Sequence, residues 1–167
     1  MADSSNTGKT IGVVAIVIGA VIFLGIALVG VLASLAIYGF RSYLVKAKAA
    51  EGQMEVRRLA ESMRSCAASQ AGGLPETARP VPATLASVAG KKYMSTASDW
   101  SDPAYKCAGF MMSSPQYFQY QWEIVSPSSG RAVAQADFDG DGAPEVRFEM
   151  LVTCAGDQCS TGPLITK

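Results

Sequence analysis

Between Lys9 and Arg41 the chain carries no Asp, Glu, Lys or Arg, and from Ile11 to Ile37 it is almost wholly Val, Ile, Leu, Ala and Gly. About 20 such residues in a helix cross the hydrocarbon core of a bilayer. Residues 11–40 therefore read as a transmembrane helix half behind a short N-terminal tail, 1–10. The rival is a cleaved secretory signal, whose apolar region is normally about 7–15 residues; this run is roughly twice that. A buried helix of a soluble core is the third reading. Composition points the same way, with 49% apolar and 17% charged residues in 167, so a disordered polyelectrolyte is excluded. Lys+Arg and Asp+Glu number 14 each, leaving no global field to recruit nucleic acid. Histidine is absent, which removes His-based triads, the commonest general base and His-containing zinc sites.

Orientation has two opposed signals. Lys9 and the α-amino group precede the span and Arg41, Lys46 and Lys48 follow it, which by the positive-inside rule leaves the larger part in the cytoplasm. Against this stand four cysteines, Cys66, Cys107, Cys154 and Cys159, with no C-x2-C pair and no histidine to complete a zinc site. Two disulfides in an oxidising compartment account for them more simply, and the extracytoplasmic side is preferred. Of the three connectivities, the short Cys154-to-Cys159 loop favours pairing those two and, by elimination, Cys66 with Cys107.

No proline or turn cluster separates Ile37 from Ala68, so the helix is expected to leave the membrane and continue as an amphipathic half, 41–70. Val45, Ala49, Gly52, Val56, Leu59, Met63 and Cys66 recur in alternating steps of four and three, a single stripe on a helix. Charged residues hold the other faces, among them Glu51, Glu55 and Glu61, read as a solvated face. Ala-Gly-Gly-Leu-Pro at 71–75 ends the helix, and 71–101, with Pro75, Pro80 and Pro82, reads as a connecting loop.

Beyond it the period becomes two. Phe118, Tyr120, Trp122 and Ile124 alternate with polar residues, as do Ala132, Ala134, Ala136 and Phe138, and Val146, Phe148, Met150 and Val152. These are expected strands of an antiparallel meander, with a weaker strand around 106–112. Residues 102–167 thus form an antiparallel sheet with a disulfide-closed C-terminal loop. Its apolar face needs a covering layer, and the available one is the helix stripe at Val56, Leu59 and Met63. The fold class is α+β: a long N-terminal transmembrane and amphipathic helix packed on a small antiparallel β-sheet.

Residues 29–52, Val-Gly-Val-Leu-Ala-Ser-Leu-Ala-Ile-Tyr-Gly-Phe-Arg-Ser-Tyr-Leu-Val-Lys-Ala-Lys-Ala-Ala-Glu-Gly, resemble the first helix of type IV pilins and pseudopilins. That helix typically reads apolar-Gly-Ile-Leu-Ala-Ala-Ile-Ala, then proline, an aromatic pair near Phe40 and Tyr43, and a small and basic run. Lys91-Lys92-Tyr93, residues 97–100, 112–118 and 134–142 are also similar to pilins of soil-dwelling Gram-negative bacteria. The resemblance implies a pilin-like fold in a bacterial inner membrane, with the C-terminal domain extracytoplasmic. It implies self-assembly into a type IV pilus or related secretion filament at the cell surface. The partners would be copies of the chain or related pilins, and Gly30, Ala33, Phe40 and Tyr43 would lie on the assembly helix. Aligned on Gly30, the family's processing glycine falls at Ile16, the first mature residue at Val17, the core glutamate at Val21 and the helix-breaking proline at Tyr38. None of the four is kept.

One loop has the composition of a cation site. Asp137, Asp139, Asp141 and Glu145 occupy positions 1, 3, 5 and 9, with glycines between. A carbonyl from Ala143 at position 7 would join them around Ca2+, which takes about 6–8 oxygens. The helical EF-hand is contradicted by Phe148 at position 12; strand-flanked calcium loops ending at position 9 match better. A Gly-rich hairpin turn with solvated acids is the competing account. Pilin relatives join two strands by a comparable Asp/Gly loop, and related secretion pseudopilins hold calcium near the sheet, so both readings stay open and Ca2+ is the one candidate cofactor. No phosphate loop is present, Ser126, Ser128 and Ser129 form a turn, and Tyr117, Phe118, Tyr120 and Trp122 read as core and flank. The expectation is a structural subunit, not an enzyme. The alternative is a single-span envelope protein with a disulfide-stabilised extracytoplasmic domain that binds a partner without polymerising.

Overall fold

The computed structural model describes residues 4–71 and 73–167, and for 4–17, 21, 37, 38, 41 and 42 the backbone alone. The expectations attached to residues 1–3, to Gly72 and to the side chains of Ile16, Val17, Val21, Tyr38 and Arg41 lie outside the described residues. The fold is α+β, and the chain divides into two compact units, Met1–Leu44 and Val45–Lys167.

Helix α1 spans Ser4–Ser69, starting within the stretch read as a tail. In the first unit it contains Ile18–Ala36, with mean hydropathy 2.6, the one stretch among the described residues long and apolar enough to cross a membrane. In the second unit its stripe is buried: Val56, Leu59, Ala60, Met63 and Ala67 are fully enclosed and Cys66 nearly so. Ala49 is half-buried and Val45 stays exposed at the start of that unit. Arg58 pairs with Glu55 at 2.6 Å and Arg64 with Glu61 at 2.8 Å. Two residues past the end of the helix, Ala71 is left-handed, with φ of 55°.

The segment expected as a plain loop lies along the sheet. Val81 and Tyr120 exchange backbone hydrogen bonds at 2.8 Å, Ala78 N–H donates to Trp122 O, and Trp122 Nε1 donates to Pro75 O at 3.0 Å. The weak strand expected at 106–112 does not form: residues 106–108 end helix α2, Pro103–Ala108, and 110–112 run without regular structure. Pro103 presets the first helical turn, and Gly109, with φ of 60°, closes it. Asp102 at the cap position accepts Lys106 N–H with its main-chain carbonyl at 3.1 Å, but its carboxylate does not cap the helix and takes Arg79 N–H at 2.7 Å and the Arg79 guanidinium instead.

Four antiparallel strands follow in the spatial order β1-β2-β3-β4: Gln119–Ser126, Ser129–Ala136, Val146–Ala155 and Gln158–Thr166. The fourth was not expected from the sequence; it follows the turn that the Cys154–Cys159 bond closes. Its Gly162-Pro163 pair hides the strand pattern, but Pro163 lies on an edge strand, where a missing N–H is tolerated, and the ladder shifts register between Met150 and Val152. On the inner face large and small side chains alternate across strands. Trp122 faces Ala132, which faces Met150, and Tyr120 faces Ala134, which faces Phe148. The alanines give the aromatic rings room, and all these residues are buried in one core with the α1 stripe.

At Gly52 the helix lies directly against the Phe118 ring, one residue before β1. A Cβ placed there would meet the Phe118 ring at 2.5 Å, and that ring is fixed by Phe138 and Phe148 at centroid distances of 5.6 and 5.8 Å. The outer face is covered differently. Glu149, nearly buried, accepts from Arg147 at 2.6 Å, Lys167 at 2.8 Å and Arg131 at 3.3 Å. Burial alone would raise this carboxyl, but hydrogen bonds from Lys167 and Arg147 and the nearby arginine charges outweigh it and hold it below its ordinary range.

Two expectations follow. Gly52→Ala gains about 0.8–1 kcal/mol of helix propensity, but overpacking against a fixed ring costs about 1–3 kcal/mol; the melting temperature should fall, and a rise would show that Phe118 can yield. Glu149 binds its proton more weakly folded than unfolded, so its stabilisation is present above the unfolded value of about 4.3 and lost as pH falls through the lower folded value. The melting temperature of Glu149→Gln should therefore decline less steeply under acid than that of the wild type; parallel acid limbs would assign the decline to other carboxylates.

Candidate functional site

Two features stand apart from the packed core. The first is the apolar stretch of α1 in the first unit, where none of Ile18–Ala36 is buried. Large apolar side chains point outward on every side of the helix, with Phe23 74%, Ile26 68% and Leu32 65% exposed. Gly30 and Ala33 are exposed, as are Phe40 and Tyr43. Added Cβ atoms at Gly19, Gly25, Gly30 and Gly39 would meet nothing within 4 Å. Contacts within the chain thus give no reason for glycine in a helix interior, where it costs about 0.8–1 kcal/mol relative to alanine.

The second is the turn between β2 and β3. Asp137 is fully buried, Asp139, Asp141 and Glu145 are exposed, and one oxygen of each lies within 4.8 Å of the others. The acids also bond the turn itself. Asp137 accepts the N–H groups of Gly140 and Gly142, and Asp139 accepts that of Asp141 at 3.1 Å. Asp141 accepts that of Ala143 at 2.8 Å, and Glu145 accepts those of Phe138 at 2.6 Å and Asp139 at 3.2 Å. Gly140 and Gly142, with φ of 83° and 93°, supply the left-handed backbone this wrapping requires. A hydrogen bond with Glu145, then the charges of Asp141 and Glu145, push the Asp139 carboxyl up. At Glu145 burial pulls upward, but the amides of Phe138 and Asp139 and the bond to Asp139 prevail and draw it down. Such a loop offers oxygens to a hard cation; it is also a turn whose carboxylates cap its own amides.

The cysteines are joined as Cys66–Cys107, which ties α1 to α2, and Cys154–Cys159, directly opposed across β3 and β4. Glu51 departs from the expected solvated face: it is half-buried and accepts Tyr117 N–H at 2.8 Å, and burial is the main cause of its raised carboxyl. A grouping the sequence reading missed surrounds Tyr117, with Lys48 Nζ 4.6 Å and Lys92 Nζ 4.8 Å from the ring centre. These residues are far apart in sequence, and only the Lys91-Lys92-Tyr93 patch gave a hint. In comparisons with known proteins, no family model, no curated protein and no solved structure matches this chain.

Removing the buried carboxylate at the base of the turn should cost about 3–6 kcal/mol, since it accepts two N–H groups and hydrogen bonds to charged groups each contribute about 1.5–3 kcal/mol. Asp137→Ala should therefore melt lower in chelator, and an unchanged melt would deny the carboxylate its capping role. The same melts repeated with calcium separate the two readings of the loop. A calcium-induced rise in wild type that Asp139→Ala abolishes supports a cation cage; no rise in wild type leaves the self-capped turn.

Proposed function

We propose that this chain is a structural, pilin-like subunit, anchored in a bacterial inner membrane by the apolar part of α1 and assembling through it into a type IV pilus or related secretion filament. The observation that carries the reading is the exposure of Ile18–Ala36 on all sides. At about 25 cal/mol per Å2 of apolar surface, such a helix is strongly driven out of water, into lipid or among similar helices. The α+β second unit, with an apolar helix stripe under a four-stranded sheet, is compatible with a pilin-like fold. Its two disulfides fit an oxidising, extracytoplasmic compartment. Glycines free of intrachain contact suit close approach of neighbouring helices, whose association in a membrane depends on small residues at the contact.

A second reading has its own support. Val21 stands where the family has its core glutamate and Ile16 where it has its processing glycine. A single-span envelope protein whose outer domain binds a partner needs neither.

Shearing of expressing cells followed by electron microscopy tests the proposal. Filaments labelled by antibody to the second unit are expected; a chain found solely as alkali-resistant membrane monomers would favour the second reading. Gly30→Leu sharpens the test, because it meets nothing within 4 Å in the chain and preserves the span's hydropathy. Filament yield should fall at least about tenfold, which is the loss of about 1.4 kcal/mol of contact energy, with membrane anchoring unchanged. Equal filament yield would remove Gly30 from the assembly surface.

A further inference from the structure

Two Asp–Gly peptide bonds, Asp139-Gly140 and Asp141-Gly142, follow one another in the exposed turn between β2 and β3. Such bonds are the most reactive aspartyl linkages, because glycine places no side chain beside its own nitrogen. The glycine nitrogen attacks Cγ of the preceding aspartic acid and an N–Cγ bond forms. The carboxyl oxygen leaves with two hydrogens as water, giving a succinimide. Water then opens the ring at one of its two carbonyls. One opening restores aspartate; the other leaves the main chain running through the β-carbonyl as isoaspartate. One water leaves and one returns, with no oxidant or reductant.

In this turn both attacking nitrogens are held by one group. The N–H of Gly140 donates to Asp137 Oδ1 and that of Gly142 to Asp137 Oδ2 at 3.0 Å, and Asp137 is fully buried. The carboxyls that would be attacked are turned away as well. Asp139 Oδ1 accepts from the amide of Asp141 at 3.1 Å and Asp141 Oδ1 from that of Ala143 at 2.8 Å. Each reaches the amide two residues on, not the neighbouring one that would close a ring. Attack must therefore break a hydrogen bond to a charged acceptor, and a fixed carboxylate opposes loss of the amide proton.

We propose that Asp137 guards the turn, so that the folded chain suppresses isoaspartate formation at Asp139 and Asp141, and that these two residues are its modification sites once the guard is withdrawn. Isoaspartate adds a carbon to the main chain, which would disrupt the turn that sets the pairing of Ala136 with Val146. The proposal concerns two covalent bonds and stands whether or not the chain assembles.

The test incubates the full-length chain in detergent and chelator at neutral pH and physiological temperature. Beside it runs the synthetic peptide 132–147, the fragment trypsin releases after Arg131 and Arg147. Electron-transfer fragmentation of that peptide distinguishes isoaspartate at 139 from 141. The folded wild type should accumulate it at least about tenfold more slowly than the free peptide, the factor expected when a charged hydrogen bond must first break. Asp137→Ala should recover most of the peptide's rate, and Asp137→Asn, which keeps an oxygen acceptor without charge, should fall between. A wild type as reactive as the peptide overturns the proposal. So does a cooperatively folded Asp137→Ala chain no faster than wild type. Should the alanine variant fail to fold, Asp137→Asn carries the same comparison, and equality with wild type is fatal to it.

Discussion

The second unit depends on how closely the sheet can approach the helix. A four-stranded sheet with one apolar face is unstable in water without a second layer, and the α1 stripe from Gly52 to Ala67 supplies it. The approach is permitted by missing atoms. Gly52 leaves space for the Phe118 ring, and Ala132, Ala134 and Ala136 leave space beside Trp122, Tyr120 and Phe148. Across the β1-β2 turn, Gly130 clears the Trp122 ring in the same way, for a Cβ there would overlap it. Small residues stand opposite large ones in this layer, and close packing of this kind rejects additions as well as deletions.

The back of the sheet carries much of the charge. Glu123 and Glu149 sit among Arg131, Arg147 and Lys167, while the short helical turn Leu85–Val88 meets β2, where Val133 is almost wholly buried. The paired charges stabilise less than an apolar layer of equal area, because surface ion pairs contribute little each. They do leave the face wettable. The exposed edge of β1 is met by the 78–81 segment, and Cys66–Cys107 ties α2 to the helix.

The long helix, its buried stripe and three of the four strands were legible in the sequence because each rests on a local period that burial preserves. Val56, Leu59 and Met63 could face one way only, as could Tyr120 and Trp122. What was not legible depended on groups far apart in the chain. Residues 106–112 are almost wholly apolar or small after Lys106, yet Pro103 and Gly109 bracket a helical turn there, and those two residues were the better signal. β4 was hidden because its side chains are mostly small or polar and its Gly162-Pro163 pair imitates a turn; its partner β3 and the Cys154–Cys159 bond define it. Glu51 looked solvated among its charged neighbours, but the Tyr117 amide that occupies it lies in another segment. In the acidic loop the spacing of the carboxylates was plain. Which amides they bind was not, since that follows from left-handed glycines that a sequence pattern does not order.

The two units have opposite relations to water. Val45–Lys167 buries its apolar faces against each other and carries paired charges on the back of its sheet. Ile18–Ala36 buries nothing and is uncharged throughout. Lipid satisfies such a surface as well as protein does, so hydrophobicity alone cannot distinguish an anchor from an assembly element. The distinction must come from what favours helix over lipid as a neighbour: backbone approach at small residues, or a buried polar pair. With valine at position 21 the polar pair is not available there, and under the proposed assembly the contact would fall at Gly19, Gly25, Gly30 and their small neighbours. That is a contact of shape, weaker per residue than a charge pair in lipid and more sensitive to a single added side chain.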